Sequence, residues 1–127
     1  MPQGSTTFHE SEDRLRPETR DMHRAIVSLM EELEAIDWYQ QRMDVAGDAE
    51  LREILRHNRD EEQEHAAMVL EWIRRRDPGF NDKLREFLFT EAPIVRREAE
   101  VMGRPTPANG AGSSGPRTTL GSLRGGR

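Results

Sequence analysis

Asn58-Arg59-Asp60-Glu61-Glu62-Gln63-Glu64-His65, continued by Ala66 to Trp72, is the stretch on which the rest of this chain depends. Taken as a helix, steps of three and four residues align Leu51, Leu55, Asn58, Glu62, His65, Val69 and Trp72 on one face. Both ends of that stripe are apolar, while its middle is an amide, a carboxylate and an imidazole. Glu62 and His65 stand three apart, so both side chains can address one atom. Burying them without a partner costs several kcal/mol, so something must satisfy them. A transition metal would. Carboxylate-bridged di-iron bundles take a Glu-x-x-His from each of two helices and a Glu from each of two others.

Upstream, Pro17 with Glu18 and Asp21 reads as a helix start, proline in the first turn and acids at the positive end of the dipole. The spacing predicts a helix to about Val45. One stripe is Ala25, Leu29, Glu32, Ile36, Tyr39, Met43, and an adjoining one is Met22, Ile26, Leu33. Here too a single carboxylate, Glu32, interrupts an apolar seam. Gly47 and Asp48 follow as a helix stop and an N-cap, with Glu50 in the new first turn. So short a connection makes the helices antiparallel neighbours. Glu32 lies about 15 residues before the turn and Glu62 about 15 after it, which at about 1.5 Å per residue brings them to nearly one height. The two carboxylates are therefore expected in one site with His65.

Downstream, Arg74-Arg75-Arg76 complements the end of the second helix, and Asp77-Pro78-Gly79 reads as a break. Phe80 to Phe89 is a short amphipathic segment, and Pro93 opens another short helix, Ile94 to Met102. From Gly103 the composition turns to Gly, Pro, Ser, Thr and Ala, a flexible linker, before two leucines return in Thr119 to Arg127. The expected fold is all-α, an antiparallel two-helix hairpin plus short C-terminal helices. Its divisions are a flexible N-terminal segment at 1–14, a helical domain at 15–102, a linker at 103–118 and a terminal peptide at 119–127, the last two forming a disordered tail.

Composition sharpens this. Of 127 residues, 34% are hydrophobic and 34% charged, with a mean hydropathy of -0.88. Such a chain cannot fill a large private core, so it is partly disordered or oligomeric. The absence of cysteine excludes disulfides, thiolate catalysis and zinc-finger chemistry. No apolar run approaches the roughly 18 residues of a membrane span, and Met1-Pro2-Gln3-Gly4-Ser5 lacks the character of a signal peptide. A cytosolic origin is expected. Residues 103–127 hold four arginines and no acid, which takes +4 from the total of -5 and leaves -9 for residues 1–102. An acidic body suits cations and not nucleic acid.

Glu31 and Glu34 read first as a solvated acidic face, placed so that they can hand cations to Glu32. His57, Glu61 and Glu64 share a second face at i, i+4, i+7 and form a candidate outer site. Trp38, Tyr39 and Trp72 are most simply packing residues, Tyr39 lying within reach of a liganding carboxylate. Phosphate loops, Ser-His-Asp patterns and dinucleotide fingerprints are absent. One protomer offers two Glu and one His, half of a di-iron site. A twofold dimer, two hairpins forming a four-helix bundle, is the economical completion.

The runs Arg24 to Tyr39, His57 to Met68 and Leu88 to Ile94 resemble the encapsulated ferritins, over roughly residues 18–96. The ending Leu120-Gly121-Ser122-Leu123-Arg124 is similar to the cargo-loading peptides that dock into encapsulin shells. The resemblance implies a ferritin-like ferroxidase, with Glu32, Glu62 and His65 matching the di-iron ligands and two iron ions held per subunit pair. It implies dimers assembled into an annular decamer inside an encapsulin nanocompartment, whose lumen holds the mineral. Glu31 and Glu34 match a site that admits metal, Trp38 and Tyr39 match residues near the iron path, and His57, Glu61 and Glu64 match a weaker outer site. Ca2+ or Zn2+ are candidate occupants of these secondary sites. The competing reading is a non-catalytic assembly protein whose Glu/His cluster holds a structural metal and whose tail only tethers it to a shell. A haemerythrin-like carrier is set aside, because such sites need several histidines and only His65 lies on the right face.

Overall fold

The computed structural model describes residues 6–103, and among them every regular element is helical. A 3-10 turn at Glu12–Arg14 precedes α1 (Pro17–Val45), α2 (Ala49–Arg76), α3 (Pro78–Phe87) and α4 (Ile94–Val101). The chain divides into two units, one ending at Arg76 and the other beginning at Asp77. The proposed linker beyond Gly103 and the peptide at 119–127 lie outside the described residues.

The first unit is the hairpin of α1 and α2. Pro17 stands in the first turn of α1, where its missing N–H costs no hydrogen bond. The stop expected of Gly47 falls one residue earlier, where Ala46 turns extended and its N–H still reaches Arg42 O at 2.9 Å. Gly47 is not left-handed, and a Cβ there would meet nothing within 4 Å. Asp48 does cap α2, its Oδ2 accepting from the Leu51 N–H at 2.8 Å. Arg52 Nη2 donates to Ala46 O at 2.6 Å and pins the turn. Farther along, Arg59 Nη1 donates to Gln40 Oε1 at 2.6 Å and ties α2 to α1.

Within the segment 1–14 expected to be loose, Thr6 and Phe8 contact α1. His23 Nε2 lies 3.2 Å from Thr6 O, and its ring packs on Phe8 with centroids 4.4 Å apart. His23 therefore holds Thr6 and Phe8 against α1.

Among the described residues, only Met43, Ala66 and Ile73 are buried apolar side chains. The stripe adjoining the seam is open: Ile26 is 44% exposed and Leu33 53%. Leu51, Ile54 and Met68 are exposed as well. A two-helix hairpin can bury only the line of contact between its helices, so one copy has almost no core of its own.

In the second unit, Asp77-Pro78-Gly79 opens a helix and does not merely break the chain. Asp77 Oδ1 accepts from the Phe80 N–H at 3.0 Å, and Pro78 takes the first helical turn. Thus α3 begins two residues before the expected Phe80. Phe89, in the connection to α4, has a left-handed φ of 61°. The α4 helix closes on Gly103, whose φ of 79° is the ordinary glycine stop. Arg97 joins α4 to α3: it is fully buried, and its Nε donates to Glu86 O at 2.6 Å.

Candidate metal centre

Because the hairpin is antiparallel and in the register expected, Glu32 of α1 meets Glu62 and His65 of α2. One ligand atom from each lies within 4.8 Å of the others. His65 Nδ1 is 3.5 Å from Glu62 Oε1 and 3.7 Å from Glu32 Oε1. The side chains of Glu32 and Glu62 are about a quarter exposed, at 24% and 23%, and that of His65 is 43% exposed. The cluster therefore lies on an open face of the hairpin.

Its electrostatics follow from two carboxyls forced together. The Glu32 pKa is raised above the usual carboxylate range, first by its hydrogen bond with Glu62, then by burial and by the negative charge of Glu62. Glu31 adds a smaller push upward, and His65 acts the other way. Carboxylate oxygens with one imidazole nitrogen form a donor set suited to iron and other borderline divalent cations. A cation there would replace repulsion by coordination.

The structure brings one further residue to the centre. Glu61 Oε1 is 3.9 Å from His65 Nε2, and Glu61 Oε2 is 3.8 Å from His57 Nε2. With Nδ1 turned to the acids, Nε2 is the nitrogen left for an outer partner, as in many metal-binding histidines. The i, i+4 spacing of Glu61 and His65 was the available signal. Sequence reasoning placed Glu61 only with His57 and Glu64. Among the described residues these three do not form a set of donors around one point. Glu64 instead lines a shallow groove with Met68, Glu71 and Trp72.

Glu31 is exposed beside Glu32, and Glu34 is half-buried one turn on. Trp38 is 47% exposed and Tyr39 half-buried, with the Arg42 guanidinium 6.0 and 5.6 Å from their ring centroids. Leu120, Gly121, Ser122, Leu123 and Arg124 fall outside the described residues.

A family model described as EncFtn-like matches residues 7–91, two thirds of the chain and all three clustered ligands. The chain belongs to the EncFtn-like family. An encapsulated ferritin-like protein of Rhodospirillum rubrum is 52% identical to it, over 98% of this chain and 93% of that protein. A protein of Myxococcus xanthus named encapsulin nanocompartment cargo protein EncC is 30% identical, over 98% of this chain and 99% of its own length. Among solved structures, protein ne0167 of Nitrosomonas europaea superposes with a TM-score of 0.67 at 61% identity. That alignment covers 68% of this chain and 96% of the other, so the EncFtn-like helical fold extends to it.

Proposed function

We propose that this EncFtn-like protein is a ferroxidase that oxidises Fe(II) to Fe(III) with O2 at a centre shared between two copies. The observation that supports it most directly is the convergence of Glu32, Glu62 and His65 within 4.8 Å on an open face of a hairpin that buries few apolar side chains. One copy offers too few ligands to hold two metal ions, and a second hairpin on a twofold axis doubles the set. Fe(II) is the substrate. Each ion loses one electron, and dioxygen accepts the electrons.

Within the chain, Glu31 and Glu34 attract the cation toward Glu32. A bound cation favours the charged form of Glu32, opposing the upward push that its hydrogen bond with Glu62 and its burial give it. His65 supplies a nitrogen from Nδ1, and the Glu61 carboxylate stands 3.9 Å from its Nε2. Carboxylates suit the hard Fe(III) product, which then moves on to storage. An anaerobic Fe(II) titration followed by air is the test. Rapid Fe(III) absorbance in the wild type, lost in Glu32→Ala, supports the reading. Metal binding with oxidation no faster than in buffer would favour the metal-stabilised assembly protein instead.

The names of the R. rubrum and M. xanthus relatives support a place inside an encapsulin shell, reached through Leu120 to Arg124. Co-expression with the shell after deleting Thr119 to Arg127 checks this: oxidation persists and co-purification is lost. Packaging at the full-length level would refute it.

A further inference from the structure

The valley between α1 and α2 differs on the two sides of the Glu32–Glu62–His65 cluster. Away from the turn lies an open groove of about 560 Å³, lined by Asp21, Arg24, Ala25 and Ser28 of α1 and by Met68, Val69 and Trp72 of α2. Ser28 is one helical turn from Glu32 and Val69 one turn from His65, so the groove begins where the cluster stops. Ala25 and Ser28 are the small side chains of its lining, beside the Asp21–Arg24 ion pair at 2.8 Å. Toward the turn the same line of α1 carries bulk. Tyr39 stands there with Trp38 beside it and the Arg42 guanidinium over both rings.

The spacing is symmetric. Tyr39 is seven residues after Glu32 and Ala25 seven before it, about 10.5 Å in either direction at about 1.5 Å per residue. Seven residues are close to two turns, so both lie on the Glu32 face. A twofold axis through the cluster and perpendicular to the helices carries a residue at one height to the opposite height on the other copy. It therefore sets the Tyr39 of one copy over the Ala25 of its partner, and the reverse.

We infer that Tyr39 of each copy fills the partner's groove over Ala25, against Trp72, and so fixes the register in which two half-centres meet. This inference rests on the shared-centre reading and specifies the contact that aligns it. A buried aromatic side chain contributes roughly 150–250 Å² to an interface, and aromatic neighbours prefer the edge and offset contacts that Trp72 offers. The match of large to small is self-complementary, as a twofold interface requires. The exposed Met68 beside the groove would be covered by the same contact.

The chain has no cysteine, so a Tyr39→Cys/Ala25→Cys variant carries only the introduced pair. Within one copy those positions are about 21 Å apart on a single helix, beyond the roughly 7 Å Cα limit for a disulfide. Oxidation can link them only between copies. Non-reducing electrophoresis should show a covalent dimer from this variant and little from a Val45→Cys/Ala25→Cys control. Pairing seen by native mass spectrometry, with no more crosslink than the control, overturns the inference and leaves the shared centre standing. A wild type that stays a single copy with and without Fe(II) refutes both. Should the cysteine pair disturb folding, a size swap decides: Ala25→Tyr alone blocks pairing, and adding Tyr39→Ala restores it. Wild-type pairing by Ala25→Tyr alone would overturn the proposal.

Discussion

Glu32 and Glu71 are both glutamates on the long hairpin, and their surroundings drive them in opposite directions. Glu71 accepts from Arg74 Nε at 2.8 Å, Arg74 Nη2 at 2.7 Å and Arg75 Nε at 2.7 Å. Those hydrogen bonds lower its pKa to about 2. Glu32 faces another carboxyl, and its pKa rises. The protein sets two guanidinium groups against Glu71, and against Glu32 a carboxyl whose effect His65 only partly offsets. Holding like charges together on a half-buried face is unfavourable unless a cation joins them. Glu71 thus serves the helix end, whereas Glu32 lies among donors that could hold a cation.

The sharpest way to break that distinction is to remove the acids. Glu32→Ala, Glu62→Ala and His65→Ala should each lower Fe(II) oxidation by at least about 100-fold, since even outer partners of metal ligands are worth about 10–100-fold. Stopped-flow Fe(III) absorbance measures it, and wild-type rates in all three would sink the assignment. Next in size is assembly. Metal that binds only the paired state favours it by about 2.7 kcal/mol at a hundredfold excess over the dissociation constant. Fe(II), or Co(II) as a surrogate that air does not readily oxidise, should drive single copies into larger species on native mass spectrometry. Chelation should reverse this. An assembly state unchanged by metal removal and by Glu62→Ala would mean that apolar contacts alone build it.

A smaller effect is expected from Glu31→Ala with Glu34→Ala. Oxidation should slow while bound metal, measured by elemental analysis, remains. Loss of the metal pair would move these residues into the centre itself. The smallest concerns Glu71→Gln, which should leave oxidation unchanged. A depressed carboxyl pKa gives stability that is present above the ordinary value near 4.5 and is lost as pH falls toward about 2. Thermal midpoints of wild type and Glu71→Gln should therefore differ slightly at neutral pH and converge toward pH 2. A gap that persists in acid would show that the residue acts through packing and not through its charge.

Much of the hairpin was legible because its signals are local. Pro17, Asp48 and the three-four periodicity specify where α1 and α2 start and which side chains share a face. The polar breaks at Glu32, Glu62 and His65 stood out against apolar neighbours, and equal distances from one turn matched their heights. Asp77-Pro78 was harder to read, since the same residues break a chain and cap a helix. Which they do depends on whether the Asp77 carboxylate turns back to the Phe80 N–H.

What the sequence determined by itself is therefore the set of helices, the antiparallel hairpin and the three residues placed to share a site. Each follows from backbone sterics and from repeat distances along one chain. The tertiary structure decided what periodicity cannot carry, which is how each helix is rotated about its own axis against its neighbour. That rotation leaves Ile26 and Leu33 exposed, turns His65 Nδ1 to the acids and Nε2 to Glu61, and opens a groove over Ala25 opposite in sense to the bulk at Tyr39. A stripe fixes which residues lie together, but only the packed partner helix determines which edge of that stripe is covered.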